Sequence, residues 1–235
     1  MKTLRSFASI RTTKAYDDLL RALYMSVKRQ VEEIEIPPVQ AIAATGNQPP
    51  GSGQYQEAIG ALYGIGYSLK MGLKFGKLPR PSGYFDYKVG ALETFWWSVG
   101  KELEISNAAT LRWQAWLMVP GFVTGELFDE ARALAAAKHP EARYDAASLV
   151  TIDEGHVVQV LHVGRYDKEQ PTIEALHAYL VGHGLAVAGK HHEIYISDPR
   201  RTPPEKLKTV IRLGVRPATK PGRAEARARV DSRKP

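Results

Sequence analysis

Apolar residues recur along this chain at two spacings. From residue 55 to 74, Ile59, Leu62, Tyr63, Gly66, Leu69 and Leu73 follow helical spacing, which predicts an amphipathic helix. Gly60, Gly64 and Gly66 cost such a helix roughly 1 kcal/mol each relative to alanine. The helix must gain close packing on a sheet from them, or room for a ligand beside Tyr63 and Tyr67, or both. Before it, VQAIAATG (39–46) reads as a short buried strand. After it, YFDYKVGALETFWWS (84–98) reads as a strand with a bulge or kink at Gly90, and LRWQAWLMVPGF as a second strand ended by Pro120. Thr124 then caps a helix through Leu127, Ala131, Leu134 and Ala135. The alternation in GHVVQVLHV predicts a strand, Pro171 and Thr172 open a helix ended by Gly184, and HHEIYISDPR and LKTVIRLGV are two further strands. A first helix over residues 14–25, with Tyr16, Leu19, Leu20 and Leu23 on one stripe, is an accessory element stopped before Pro37 and Pro38.

Read as elements, residues 39–118 give strand, helix, strand, strand, and residues 156–215 give the same order again. The fold class expected is α+β: duplicated βαββ units, paired side by side, with both helices on one face of the sheet and a concave ligand groove on the other. The domain organisation expected is an accessory segment at 1–36, a binding domain at 37–215 with halves at about 37–120 and 150–215, and a flexible basic tail at 216–235.

Charge changes that picture little. The net charge is +7, but seven basic residues against two acids lie from Arg216 onward, in a stretch with almost nothing large and apolar to bury. The tail is read as a solubilising extension making at most loose anion contacts, so nucleic acid is not an expected partner. Absence of cysteine excludes a disulfide framework and thiolate chemistry. With no signal-peptide pattern and no long apolar run, the expected location is the cytoplasm of a bacterial cell, with no membrane contact. Exposed aromatics would permit a homodimer.

In each half the strand after the helix holds one carboxylate among apolar neighbours, Glu93 in GALETFWWS and Glu193 in HHEIYISDP. Alternation places Glu93, Phe95 and Trp97 on one face, and His191, Glu193 and Tyr195 on one face. The charged faces are expected to line the groove together. Burial among aromatic rings costs a carboxylate its hydration, the condition for a general base near neutral pH, and two such groups can divide into a base and a donor. Trp97, Trp113, Tyr63, Phe95, Tyr166 and Tyr195 would supply ring faces for a planar or cationic molecule. His191 and His192 point to opposite faces of a strand, so no metal site is expected from them. The glycines near Tyr63 lie inside a helical pattern and form no phosphate loop, and no cofactor motif is present.

YQEAIGALYGIGYSLK, ALETFWW, WQAWLMVPGFVT and above all GKHHEIYISDPRRTPPEKLKTVIRLGV resemble the gyrase-inhibitory-protein-like (GyrI-like) small-molecule-binding family. The resemblance covers about residues 39–215 and implies paired βαββ units around a central groove, with a glutamate at the position of Glu193 at the base of an aromatic pocket. With residues 1–36 too short for a helix-turn-helix, it implies a stand-alone member. LETFWW and HHEIYISDPRR together look most like a branch that includes hydrolases of cyclopropanoid, DNA-alkylating genotoxins, and so imply detoxification by addition of water. In that scheme Glu193 and Glu93 are base and water-orienting group, Tyr67 or Tyr195 is the donor, Trp97 and Trp113 stack on the ring system, and no cofactor takes part. The alternative is a multidrug-binding protein that sequesters its ligand without chemistry.

Overall fold

The computed structural model describes residues 2–4, 6–100 and 103–218. Most of the basic tail expected at 216–235 lies outside the described residues. The elements in chain order are β1 (Lys2–Thr3), α1 (Thr13–Leu20) continued by a π-helical turn (Arg21–Met25), β2 (Glu32–Ile36), β3 (Val39–Gly46), α2 (Gly53–Lys74), β4 (Leu92–Ser98) and β5 (Leu111–Met118). Then follow α3 (Gly125–Lys138), a 3-10 turn (Tyr144–Ala146), β6 (Ala147–Ile152), β7 (Gly155–Val163), a second 3-10 turn (Tyr166–Lys168), α4 (Gln170–Gly182), β8 (Leu185–Tyr195) and β9 (Lys208–Pro217).

The nine strands of the described residues form one sheet in the order β1-β2-β7-β9-β8-β4-β5-β3-β6. The two expected units appear in it as β3-β5-β4 and β7-β9-β8, and they meet edge to edge at an antiparallel β4–β8 seam. Each unit is extended by a strand the periodicity did not show: β6 adds to β3, and β2 adds to β7. The strand expected over 84–98 is shorter than that, because residues 84–91 take no regular structure and pairing begins at Leu92.

The helices of the two units, α2 and α4, lie on one face. α2 packs on β3, β5 and β6, and α4 packs on β7 and β8, so the seam lies between them. Tyr55, Leu62, Ile65 and Leu69 of α2 join the main core with Trp96, Trp113 and Leu117, while Leu176 and Leu180 of α4 cover Val158, Val160, Ile211 and Leu213. Threonine caps α1 and α3, the Thr12 hydroxyl accepting from the Ala15 backbone N–H and the Thr124 hydroxyl from that of Leu127, each at 3.2 Å, whereas Ser52 ahead of α2 makes no side-chain cap bond. The α2 glycines divide in role. A β-carbon on Gly64 would come within 2.8 Å of the Tyr144 ring, whereas one on Gly60 would meet nothing within 4 Å. Close packing therefore explains Gly64 and not Gly60.

The opposite face is not the open groove expected. The N-terminal segment covers one end of it: Tyr16 donates to the Met118 carbonyl at 3.4 Å and Tyr24 to Glu93 at 2.6 Å. The segment at 1–36 thereby supplies Phe7, Tyr16, Leu19, Leu23, Tyr24 and Ile34 to the main core.

Candidate functional site

The seam register decides which candidates meet. Thr94 lies opposite Glu193, Trp96 opposite His191 and Leu92 opposite Tyr195, whereas Glu93 lies opposite Ile194 and Phe95 opposite His192. Directly paired residues share a face. Glu193, His191 and Tyr195 therefore lie on the helix face with Thr94 and Trp96, and Glu93 lies on the other side of the sheet. The expectation that both glutamates line one groove is overturned. Each unit does carry its glutamate on its inner strand, but the two stand one register step apart, and a step of one reverses the face.

On the helix face Glu193 is only 6% exposed. Tyr195 donates its hydroxyl to Glu193 Oε2 at 2.7 Å, and His191 Nε2 bonds to Oε1 at 3.0 Å. Trp96 Nε1 donates in turn to the Tyr195 oxygen at 3.2 Å. Burial, and then the Glu193 charge, raise Tyr195 well above the ordinary tyrosine range, so its phenol keeps its proton. Tyr55 arrives from α2, its hydroxyl 2.8 Å from Thr94 Oγ1 and its ring 5.1 Å from that of Trp96. From the turn before α4, the half-exposed Tyr166 packs edge-on against Tyr195 with ring centroids 5.7 Å apart.

Glu169 enters from the same turn, a residue the periodicity had not brought forward. It lies at the start of a helix, where an acidic residue needs no special explanation, and no sequence signal separates it from an ordinary capping position. Its carboxyl, the His191 ring and the Glu193 carboxyl have nitrogen and oxygen atoms within 4.8 Å of one another, close enough in principle to surround a cation. The His191 nitrogen that faces Glu193 is, however, engaged in a hydrogen bond to it.

The remaining candidates are dispersed. Trp113 is fully buried beneath Tyr55, at 5.0 Å between centroids, and donates to the Gln48 carbonyl at 2.9 Å, so it is a core residue and offers no face for stacking. Phe95 and Trp97 belong to the face of Glu93, away from Glu193; the Lys190 ammonium sits 3.6 Å over the Trp97 ring, so the chain's own cation occupies it. Tyr63 and Tyr67 stack on each other at 6.1 Å and, with Met71, Lys138 and Tyr144, line an open depression of about 290 Å³ between α2 and α3. Tyr67 is 52% exposed there, and the hydrogen bonds to Glu193 come from His191 and Tyr195.

Beneath the N-terminal segment, Glu93 belongs to a buried charge network. His192 is 3.2 Å from Glu93 and 2.9 Å from Glu154, and Arg212 is 3.1 Å from Glu154. Arg212 also donates to Gln159 at 2.9 Å and to the Leu23 carbonyl at 3.4 Å. Burial opposes the charge on His192, yet Glu154 and Glu93 outweigh it and raise the imidazole above its ordinary range. Burial likewise opposes the charge on Glu154, but His192 and Arg212 hold its carboxyl down at about 2. Glu154 meets both His192 Nδ1 and Arg212 and Glu93 accepts from Tyr24, all shut off from water, while His192 Nε2 makes no hydrogen bond among the described residues.

An aromatic-walled carboxylate thus lies between two helices, at the junction of the paired βαββ units. The profile of the GyrI-like small molecule binding domain matches residues 116–216. A crystal structure of a hydrolase from Listeria innocua is 35% identical, with TM-score 0.76, covering 86% of this chain and 98% of that one. An uncharacterized conserved protein from the same organism is also 35% identical, with TM-score 0.78, covering 88% of this chain and all of the other. The chain belongs to the GyrI-like family. The EcmrR C-terminal domain, 15% identical over 80% of this chain and 98% of its own length, with TM-score 0.51, shares the fold. No curated protein matches the sequence. Among the described residues, no helix is long and apolar enough to cross a membrane.

Proposed function

We propose that this protein binds planar, apolar or cationic small molecules at the β4–β8 seam and hydrolyses cyclopropanoid, DNA-alkylating compounds by adding water, which detoxifies them. The observation that carries the reading is Glu193: a nearly buried carboxyl with a hydrogen-bond partner on each oxygen, walled by Tyr55, Tyr166, Tyr195 and Trp96. The likeness to a Listeria innocua hydrolase supports it further. In this scheme Glu193 takes a proton from water as the water oxygen bonds to a ring carbon. The strained carbon–carbon bond breaks, and its electron pair moves to the conjugated carbonyl oxygen, which must then be protonated. The ring systems orient the flat substrate. Glu93 has no part in this step, because it lies across the sheet.

Turnover of a cyclopropane-containing alkylating compound, followed by mass spectrometry, tests the proposal. Wild type is expected to add one water and Glu193→Gln to lose at least a hundredfold in rate, in the range set by removing a general base, with tryptophan-quenching affinity kept. Tight binding by wild type with no water added would leave a sequestering protein and overturn the hydrolytic reading.

A further inference from the structure

The reaction above needs a proton donor, and the tyrosine nearest Glu193 is already committed. Tyr195 gives its hydrogen to Glu193 Oε2, and Tyr67 lines the depression between α2 and α3. Tyr55 shares a hydrogen bond with Thr94 and Tyr166 is half-exposed, so the buried carboxyl beside Glu193 is Glu169. It is 5% exposed, and its Oε1 has no hydrogen-bond partner among the described residues. A buried carboxylate oxygen with no donor is costly, whereas the same oxygen carrying a proton becomes a donor itself.

We propose that Glu169 is the proton donor of this site, sharing a single proton with Glu193 so that a bound molecule meets an acid and a base side by side. The surroundings assign the two roles. Glu193 has a partner on each oxygen, accepting from Tyr195 on Oε2 and bonded to His191 Nε2 on Oε1, whereas Glu169 Oε1 has none. The groups facing Glu169 are Glu193 and His191 from β8, Tyr166 from the preceding turn, and Thr209 from β9, with His162 paired to Thr209 across β7. His162 is itself occupied, bonded to the Thr172 hydroxyl and the Arg165 carbonyl at 2.9 and 3.2 Å. No Lys or Arg is among these groups. Burial first, and then the Glu193 charge, push the Glu169 carboxyl up to about 8, against the opposing hydroxyl of Thr209. The position of Glu169 at the start of α4 favours its anion by the helix dipole, an effect too small to reverse that balance.

The pair also closes the proton balance of the hydrolysis. Glu193 gains the proton lost by water, and Glu169 gives its own to the carbonyl oxygen that receives the electron pair. Passage of the proton from Glu193 to Glu169 then restores both groups. The catalytic role rests on the hydrolytic reading; the shared proton does not.

Infrared difference spectra of the full-length protein test the shared proton without any substrate. A protonated-carboxyl stretch is expected in wild type at neutral pH, vanishing as Glu169 ionises in alkali. It should be absent from Glu169→Gln, and in Glu193→Gln it should vanish at lower pH because the neighbouring charge is gone. A wild-type spectrum without that band at neutral pH, a band unchanged by Glu169→Gln, or a stoichiometric divalent metal in the purified protein would overturn the proposal. In turnover, Glu169→Gln is expected to lower kcat about a hundredfold or more and to abolish the alkaline limb of the pH profile, with Tyr166→Phe keeping that limb. If Glu169→Gln keeps both rate and limb, the donor role is wrong while hydrolysis stands. If wild type adds no water and the infrared band behaves as described, hydrolysis is wrong and the shared proton stands.

Discussion

At the scale of single residues, two glutamates that look alike in sequence do different work because of what faces them. Glu193 meets donors and aromatic rings at the seam, while Glu93, 2% exposed, meets Tyr24 and His192 beneath the N-terminal segment. Arg212→Met should lower stability by about 3–5 kcal/mol, because it leaves Glu154 buried without one of its cations; urea unfolding measures this. Tyr24→Phe removes only the donor to Glu93 and should cost about 1–3 kcal/mol. If Tyr24→Phe unfolds at the wild-type urea concentration, the buried network does not hold the N-terminal segment.

At the scale of elements, α2 offers a controlled comparison. Gly60→Ala places its methyl in open space and should stabilise by up to about 1 kcal/mol. Gly64→Ala gains the same helix propensity but drives its methyl into the Tyr144 ring, so a net loss of about 1–2 kcal/mol is expected once the overpacking is counted. Thermal or urea midpoints of the pair decide this, and equal effects would mean that the 3-10 turn bearing Tyr144 yields freely. The hydrophobic period showed α2, α3, α4 and the six inner strands, because each presents one continuous apolar stripe or alternation. It did not show β2 and β6. β2, with three acids in five residues, reads as a polar connector until pairing with β7 supplies partners for Glu32 and Glu33: Gln159 at 2.9 Å and His156 at 3.0 Å.

At the scale of the whole molecule, buried ionisable groups couple folding to pH. Glu154 is depressed to about 2 when folded, so its contribution is complete above the ordinary carboxyl range and is lost as pH falls toward that value. His192 is raised, so its contribution is complete below the ordinary imidazole range and is lost as pH rises through its folded value. Glu169, raised to about 8, adds a second loss between the ordinary carboxyl range and that value. Stability should therefore fall on both sides of a maximum on the acid side of neutral. Urea midpoints against pH should show a flattened acid limb in Glu154→Gln and a flattened alkaline limb in Glu169→Gln, the latter more stable than wild type in alkali. An unchanged alkaline limb in Glu169→Gln would mean that its carboxyl ionises equally in both states.

The sequence by itself determined the three longer helices, the six inner strands and the duplication of βαββ units, because periodicity and turn chemistry are local properties of the chain; these put Glu93 and Glu193 forward alike, and the family resemblance set Glu193 first. Only the tertiary structure decided which carboxylates meet. The seam pairs Thr94 with Glu193, one step off the register that would have matched Glu93 to Glu193, and that step sends Glu93 through the sheet. The same pairing, together with the turn ahead of α4, brings Glu169 to Glu193. Register between strands nearly a hundred residues apart is set by the packing of two whole units, which no local pattern encodes.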